Sequence, residues 1–258
     1  MIVNAVAENV LGTIGTILWT GQLLPQIWKS WREHSTAGLS HWLVFLWGLS
    51  GLFLGVYAIV QDLNIPLIIQ PQLFAFLTLF SWGQCLYYDI GKSRLAACLM
   101  TGSVMLTIGA LEVGMVFAIR PTMNQRAIDF FGVFASVLIA AGLLPQYWEI
   151  YKRKEVVGIS ILFITIDLLG GVFSDLSLIF RPKFDIIAAV AYSLVIVMDG
   201  LIVIAAMILN PRARKRRRLE AERESVSSNG PRQVTQSFTV PQYGSPPPRC
   251  IQRLDNFK

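Results

Sequence analysis

The sequence predicts an all-α membrane protein with seven transmembrane helices, arranged as two parallel three-helix repeats joined by a connecting helix (3+1+3). Three observations predict it. The 258 residues are 54% hydrophobic and 15% charged, with a mean hydropathy of +0.55, outside the range of a soluble domain. Seven nearly charge-free runs recur along the chain, each close to the ~20 residues that cross a hydrocarbon core. Finally, two stretches 120 residues apart repeat each other. The first reads Leu23-Leu24-Pro25-Gln26, then Trp28, Gly38, Ser40, Leu49, Gly51 and Phe53. The second reads Leu143-Leu144-Pro145-Gln146, then Trp148, Gly158, Ser160, Leu169, Gly171 and Phe173. Ten identities in one register mark an internal duplication. In membrane proteins such duplications pack two half-units around a shared pathway.

The runs place spans at about 10–28, 39–60, 66–88, 96–119, 130–148, 159–180 and 186–209. They lack the alternation of barrel strands, so helices are the spanning form. The first span ends on the Pro-Gln dipeptide, the second follows Gly38 and Ser40, and the third is interrupted by Pro66, Pro71 and glutamines. The fourth has no counterpart and connects the copies. The fifth and sixth repeat the first two, and the seventh closes the second copy at Asn210-Pro211. The expected organisation is a first repeat over 1–90, a connecting helix with its loops over 91–127, a second repeat over 128–210 and a tail over 211–258.

Loop charge gives the orientation. The loops after spans one, three and five and the segment after span seven hold 13 basic residues, against 4 on the opposite side. The positive-inside rule therefore puts the N-terminus outside or in a lumen and the tail in the cytosol. Spans one and five then run in the same direction, which makes the repeat a parallel one. Met1 to Glu8 has no basic region or cleavage site, so no removed signal peptide is expected. Cys85, Cys98 and Cys250 suggest neither a disulfide framework nor a metal site, no Asn-x-Ser/Thr acceptor occurs, and no cofactor is implied. Residues 219–258 are rich in Ser, Pro, Gln, Arg and Glu, a composition that predicts disorder. The basic run Arg212–Arg218 fixes topology and suits anionic lipid headgroups at ~1 kcal/mol per charge, rather than nucleic acid.

Two features carry chemistry. Proline in a transmembrane helix removes a backbone donor and bends the axis, and Gln26 or Gln146 beside it can serve the freed carbonyl or face a polar cavity. Matched kinks at Pro25 and Pro145 would form hinges for alternating access. Ionisable groups inside the spans are sharper, since a carboxylate at the bilayer centre costs roughly 2.5–3.5 kcal/mol or more. Glu112, Asp167, Asp175 and Asp199 lie inside spans. Asp167 precedes Gly170-Gly171, which permit close helix approach, and Asp199 lies mid-span. Trp47 stands opposite Asp167 in the first copy, so that acid belongs to the second half alone. Asp175 and Glu112, nearer the ends of their spans, read as structural.

The twin Leu-Pro-Gln segments, each followed by a basic loop and Gly-x-Ser, resemble the PQ-loop repeat proteins over about residues 10–209. That family includes cystinosin, cationic amino-acid exporters of vacuoles and lysosomes and a mannose-phosphate-dolichol utilisation protein, with the SWEET sugar transporters as structural relatives. Gly158-Ile159-Ser160 and Asp167-Leu168-Leu169-Gly170-Gly171-Val172-Phe173-Ser174 are most similar to the second repeat of cystinosin. Tyr192 to Asp199 resembles its acid-bearing last helix. The resemblance implies a proton-coupling role for Asp167 and, with it, Asp199. The few residues before span one, and Tyr243-Gly244-Ser245-Pro246 in place of a tyrosine sorting signal, are departures that speak against cystine as the substrate.

The expected function is proton-coupled movement of a small polar solute, most readily an amino acid, from a vacuole or lysosome towards the cytosol. Pro25, Gln26, Pro145 and Gln146 would gate the path and Gly170 and Gly171 would pack the helices. A non-transporting seven-helix sensor, a SWEET-like facilitator and an endoplasmic-reticulum role in dolichol-linked sugar use stay open. No nucleophile, base or metal cluster points to an enzyme.

Overall fold

The computed structural model describes residues 3–228 apart from Gly38 and residues 157–159, with side chains to residue 223. Gly158, Cys250 and the tail from residue 229 lie outside the described residues. Those described form eight helices: α1 Ala5–Gly21, α2 Leu23–Glu33, α3 His41–Val60, α4 Ile65–Tyr88, α5 Arg94–Ile119, α6 Gln125–Arg153, α7 Ile161–Ile179 and α8 Ile186–Ser228. From α3 onward, each is long and apolar enough to cross a membrane. Joined through Gln22, α1 and α2 account for the first of the seven spans.

Polar residues set where the apolar runs become helix. Asn4, Ser40, Asn64, Ser93 and Asn124 stand in extended conformation ahead of α1, α3, α4, α5 and α6. Each accepts from N–H groups that have no partner inside the first turn, as Asn4 does from Val6 and Ala7 at 3.0 and 3.1 Å. The two copies also stop alike. At the ends of α2 and α6, His34 and Lys154 both take left-handed backbone, with φ of 49° and 53°.

The prolines break this likeness. Pro25 offers no N–H to the carbonyl of Gly21, and the helix divides at Gln22. Pro25 thereby falls in the first turn of α2, where a missing N–H leaves nothing unpaired. Pro145 lies inside an unbroken α6. The two copies thus differ in that α1 and α2 meet at Gln22, whose backbone is itself helical (φ −60°, ψ −30°), while α6 runs on through Pro145. In α4, Pro66 takes the first turn and Pro71 the interior, while the glutamines turn inward, so the third span holds.

One expectation fails. Helix α8 runs through Pro211 and the basic run to Ser228, where disorder was expected from 219. Leu219-Glu220-Ala221-Glu222-Arg223 consists of strong helix formers with mixed charge, so local propensity prevails over average composition there.

Residues to Arg216 form one compact unit. Within it α4 packs on both α1 and α3, and α5 packs on α3 and α4. Two further pairs, α1 with α7 and α3 with α6, join the copies. Exchanging the copies converts one pair into the other, so together they make a seam with approximate two-fold symmetry. Close approach there needs glycine. A Cβ on Gly15 would lie 2.5 Å from Ser174 Oγ, and one on Gly142 would lie 2.8 Å from Trp47 Nε1.

Charge closes the seam at the end away from the basic loops. Arg181 Nη2 donates to the carbonyls of Gln61 and Asp62 at 2.9 and 2.8 Å. The same guanidinium approaches Glu8 at 3.8 Å and Asp185 at 3.6 Å, and all three side chains are nearly buried. Tyr57 donates to Asp185, and Asn64 donates to Glu8 at 3.2 Å. One cation thus links α1, the α3–α4 turn and the α7–α8 loop.

Two outcomes follow from this packing. Arg181→Ala strands Glu8 and Asp185 without their cation, and purified protein should lose about 3–5 kcal/mol, read as a fall in the thermal unfolding midpoint in detergent. Gly142→Val should lower the same midpoint, by about 1–3 kcal/mol of overpacking, whereas Gly102→Val, with open space around it, should leave it nearly unchanged.

Candidate functional site

The two seams use the same backbone contact. Trp19 Nε1 on α1 donates to the carbonyl of Asp167 on α7 at 2.9 Å. Trp47 Nε1 on α3 donates to the carbonyl of Ile139 on α6 at 3.2 Å. Residues 19 and 139 are equivalent positions, as are 47 and 167. Both indoles belong to the first copy and both carbonyls to the second. The ring of Phe74 on α4 lies 5.6 Å from that of Trp19 and 5.5 Å from that of Trp47, centroid to centroid. Gly170 gives the Trp19 ring its room, since a Cβ there would strike it. Gly171 faces α8, with its Cβ position 3.0 Å from Ile196.

Side chains make the seams different. On the α3–α6 side Gly142 meets the Trp47 ring. At the equivalent place on the α1–α7 side, Gln22 Nε2 donates to Asp167 Oδ1. Asp199 of α8 is a neighbour of Asp167. Asp167 is 3% exposed, Asp199 0% and Gln22 2%. Neither Asp199 oxygen receives a donor from any other described group, and Gln22 Oε1 is likewise buried without one. Around this pair, Tyr147 of α6 donates to the carbonyl of Met198, and the Tyr192 ring stacks edge-on against Trp19.

The structure therefore brings Asp167 and Asp199 together and leaves the Pro-Gln residues elsewhere. Pro25 and Pro145 are exposed on the outside of the bundle. Gln26 turns back to Ser30 on its own helix at 3.3 Å. Glu112 and Asp175 stand apart from the pair. Gln72 donates to Glu112, and Ser193 donates to Asp175 at 2.7 Å. Gln22 and Trp19 are the residues that sequence reasoning missed. Gln22 was detectable as a polar residue opposite Gly142 in the repeat alignment, immediately ahead of the matched Leu-Leu-Pro-Gln.

The family model described as PQ loop repeat matches residues 7–67 and 127–187, two segments in the register of the duplication. An uncharacterized protein of Schizosaccharomyces pombe is 39% identical over 210 residues, covering 80% of this chain and 74% of its own. The vacuolar histidine transporter of Saccharomyces cerevisiae is 32% identical over 92 residues, 34% of this chain and 31% of its own. A cystinosin homolog of Caenorhabditis briggsae is 26% identical over 203 residues, 69% of this chain and 49% of its own. The chain spans less than half the length of the latter two.

Proposed function

The chain belongs to the PQ-loop repeat family, and from that premise we propose that it is a proton-coupled carrier moving an amino acid from an acidic organelle to the cytosol. The observation that carries the reading is the buried Asp167–Asp199 pair at one seam of the two halves, to which Gln22 of the first copy donates. Neighbouring carboxyls cannot both ionise in a low-dielectric interior. The pair therefore alternates between a singly charged form, which needs a donor, and a neutral form that holds a second proton.

Alternation of this kind does the work of coupling. With the N-terminus in the lumen, the Arg181 cluster closes the luminal end in the state described here, and the basic loops lie in the cytosol. An acidic lumen loads the second proton, and the higher pH of the cytosol removes it. Solute bound between the halves moves with the change of charge, because binding and protonation bias the same two-state equilibrium. Unmet acceptors on Asp199 and Gln22 suit a solute that brings donors, such as the ammonium group of an amino acid. The vacuolar location and the amino-acid class draw on the names of the relatives. Arg212–Arg218, on the cytosolic extension of α8, would lie against anionic lipid headgroups.

In liposomes bearing the purified protein, an inward proton gradient should drive uptake of one amino-acid class and of no sugar. Asp167→Asn should bring gradient-driven uptake to background while counterflow at equal pH persists. Undiminished proton-driven flux in that variant would falsify the coupling role, and sugar flux indifferent to the gradient would move the chain to the facilitator class.

A further inference from the structure

Gln22 is the single residue between α1 and α2, and its side chain is tied to an acid on the other half of the molecule. Four observations meet at this point. Its equivalent, Gly142, lies within an unbroken α6 and has no side chain to bond. Pro25 stands in the first turn of α2 and has no N–H to give the Gly21 carbonyl. The neighbouring Gly21 has open space around it. Beside α2 lies an open groove on the surface of the bundle, about 700 Å³ in volume and lined by Leu24, Pro25, Trp28, Trp31, Phe80 and Gln84. The first helix thus has a joint, room to move, and a polar tether that the second copy lacks.

We infer that Gln22 is the positioning residue that converts the charge on the acid pair into the angle between α1 and α2. This rests on the carrier reading given above and names the element on which its proton acts. A charged Asp167 accepts from Gln22 Nε2 and holds the joint as it is seen here. A proton placed on Oδ1 of Asp167, the oxygen that Nε2 contacts, turns that acceptor into an O–H, for which Nε2 is the wrong partner and the buried Oε1 the right one. Turning the amide over, or releasing it, frees α2 to swing into the adjoining groove and carries Lys29 and Arg32 with it. The motion belongs to the first copy alone, since α6 has neither break nor tether.

Few other groups compete for this control. Asp199 of α8 is the one ionisable group adjoining Asp167, with the phenols of Tyr147 and Tyr192 nearby. Helix α4 contains no charged residue, and α1 contains only Glu8, at its far end.

The test follows the joint itself. In a chain whose own cysteines are replaced by serine, spin labels at Lys29→Cys on α2 and Lys152→Cys on α6 report their separation in nanodiscs. The separation should differ between mildly acidic and neutral pH. Gln22→Leu should abolish that difference and flatten the pH profile of gradient-driven uptake, with the thermal midpoint serving as the check on folding. Gln22→Gly, which installs the second copy's residue, serves where the leucine variant fails to fold and should behave alike. A pH-dependent separation that survives either substitution overturns the inference, as does a wild-type separation indifferent to pH. The label readout needs no solute, so a wild type that moves no amino acid but still shows a Gln22-dependent change refutes the carrier reading and leaves this one standing. Gradient-driven uptake with a wild-type pH profile in both variants does the reverse.

Discussion

A carboxyl group inside a membrane protein has to be paired by the protein itself, because no water is there to do it. The molecule's asymmetry turns on that constraint. Two of its carboxyls meet between helices of the second copy, and the first copy supplies one amide to the pair. Gln22 and Gly142 occupy equivalent positions, but only one of them faces an acid. Elsewhere Glu112 takes a donor from Gln72 and Asp175 one from Ser193, while Glu8 and Asp185 lie near the Arg181 guanidinium. At Asp199 neither carboxylate oxygen has a donor among the other described groups.

Duplication explains how such a site arises on an otherwise regular frame. The backbone relation between α1 and α7 is repeated between α3 and α6, down to an indole on a carbonyl at equivalent positions. With the frame held twice by the same contact, one seam remains apolar, around Trp47 and Gly142, while the other accepts polar substitutions. The conformational likeness of His34 and Lys154 shows that the frame persists to the ends of the helices. The break at Gln22 shows where it stops.

Most of the fold was legible in the chain, because membrane spans are written locally. Apolar length, a polar residue ahead of each run and the charge of the loops are each read without knowing a single neighbour. Asp167 and Asp199 were legible for the same reason, since a carboxylate in an apolar run stands out wherever its partner lies. What was not legible depends on which helices touch. Nothing in the linear pattern places Gln22 of the first span against the sixth, or aims the indole of Trp19 at the backbone beneath an acid. The Pro-Gln dipeptide marks the repeat faithfully, and Pro25 and Pro145 are both exposed. At the tail, average composition hid a short stretch of good helix formers after Pro211.

The one-sided ownership of the indole contacts bears on how the chain is made. Trp19 and Trp47 both belong to the half that leaves the ribosome first, and both of their acceptors belong to the half that follows. The guanidinium that ties down the Gln61–Asp62 turn also comes late, at residue 181. During synthesis the first three spans therefore enter the bilayer with two indole N–H groups and two turn carbonyls still waiting for partners. Until then those groups are met by water, by lipid headgroups or by the insertion machinery. Biogenesis of this protein is thus a docking reaction within one polypeptide, in which the earlier half waits as an incomplete template for the later one.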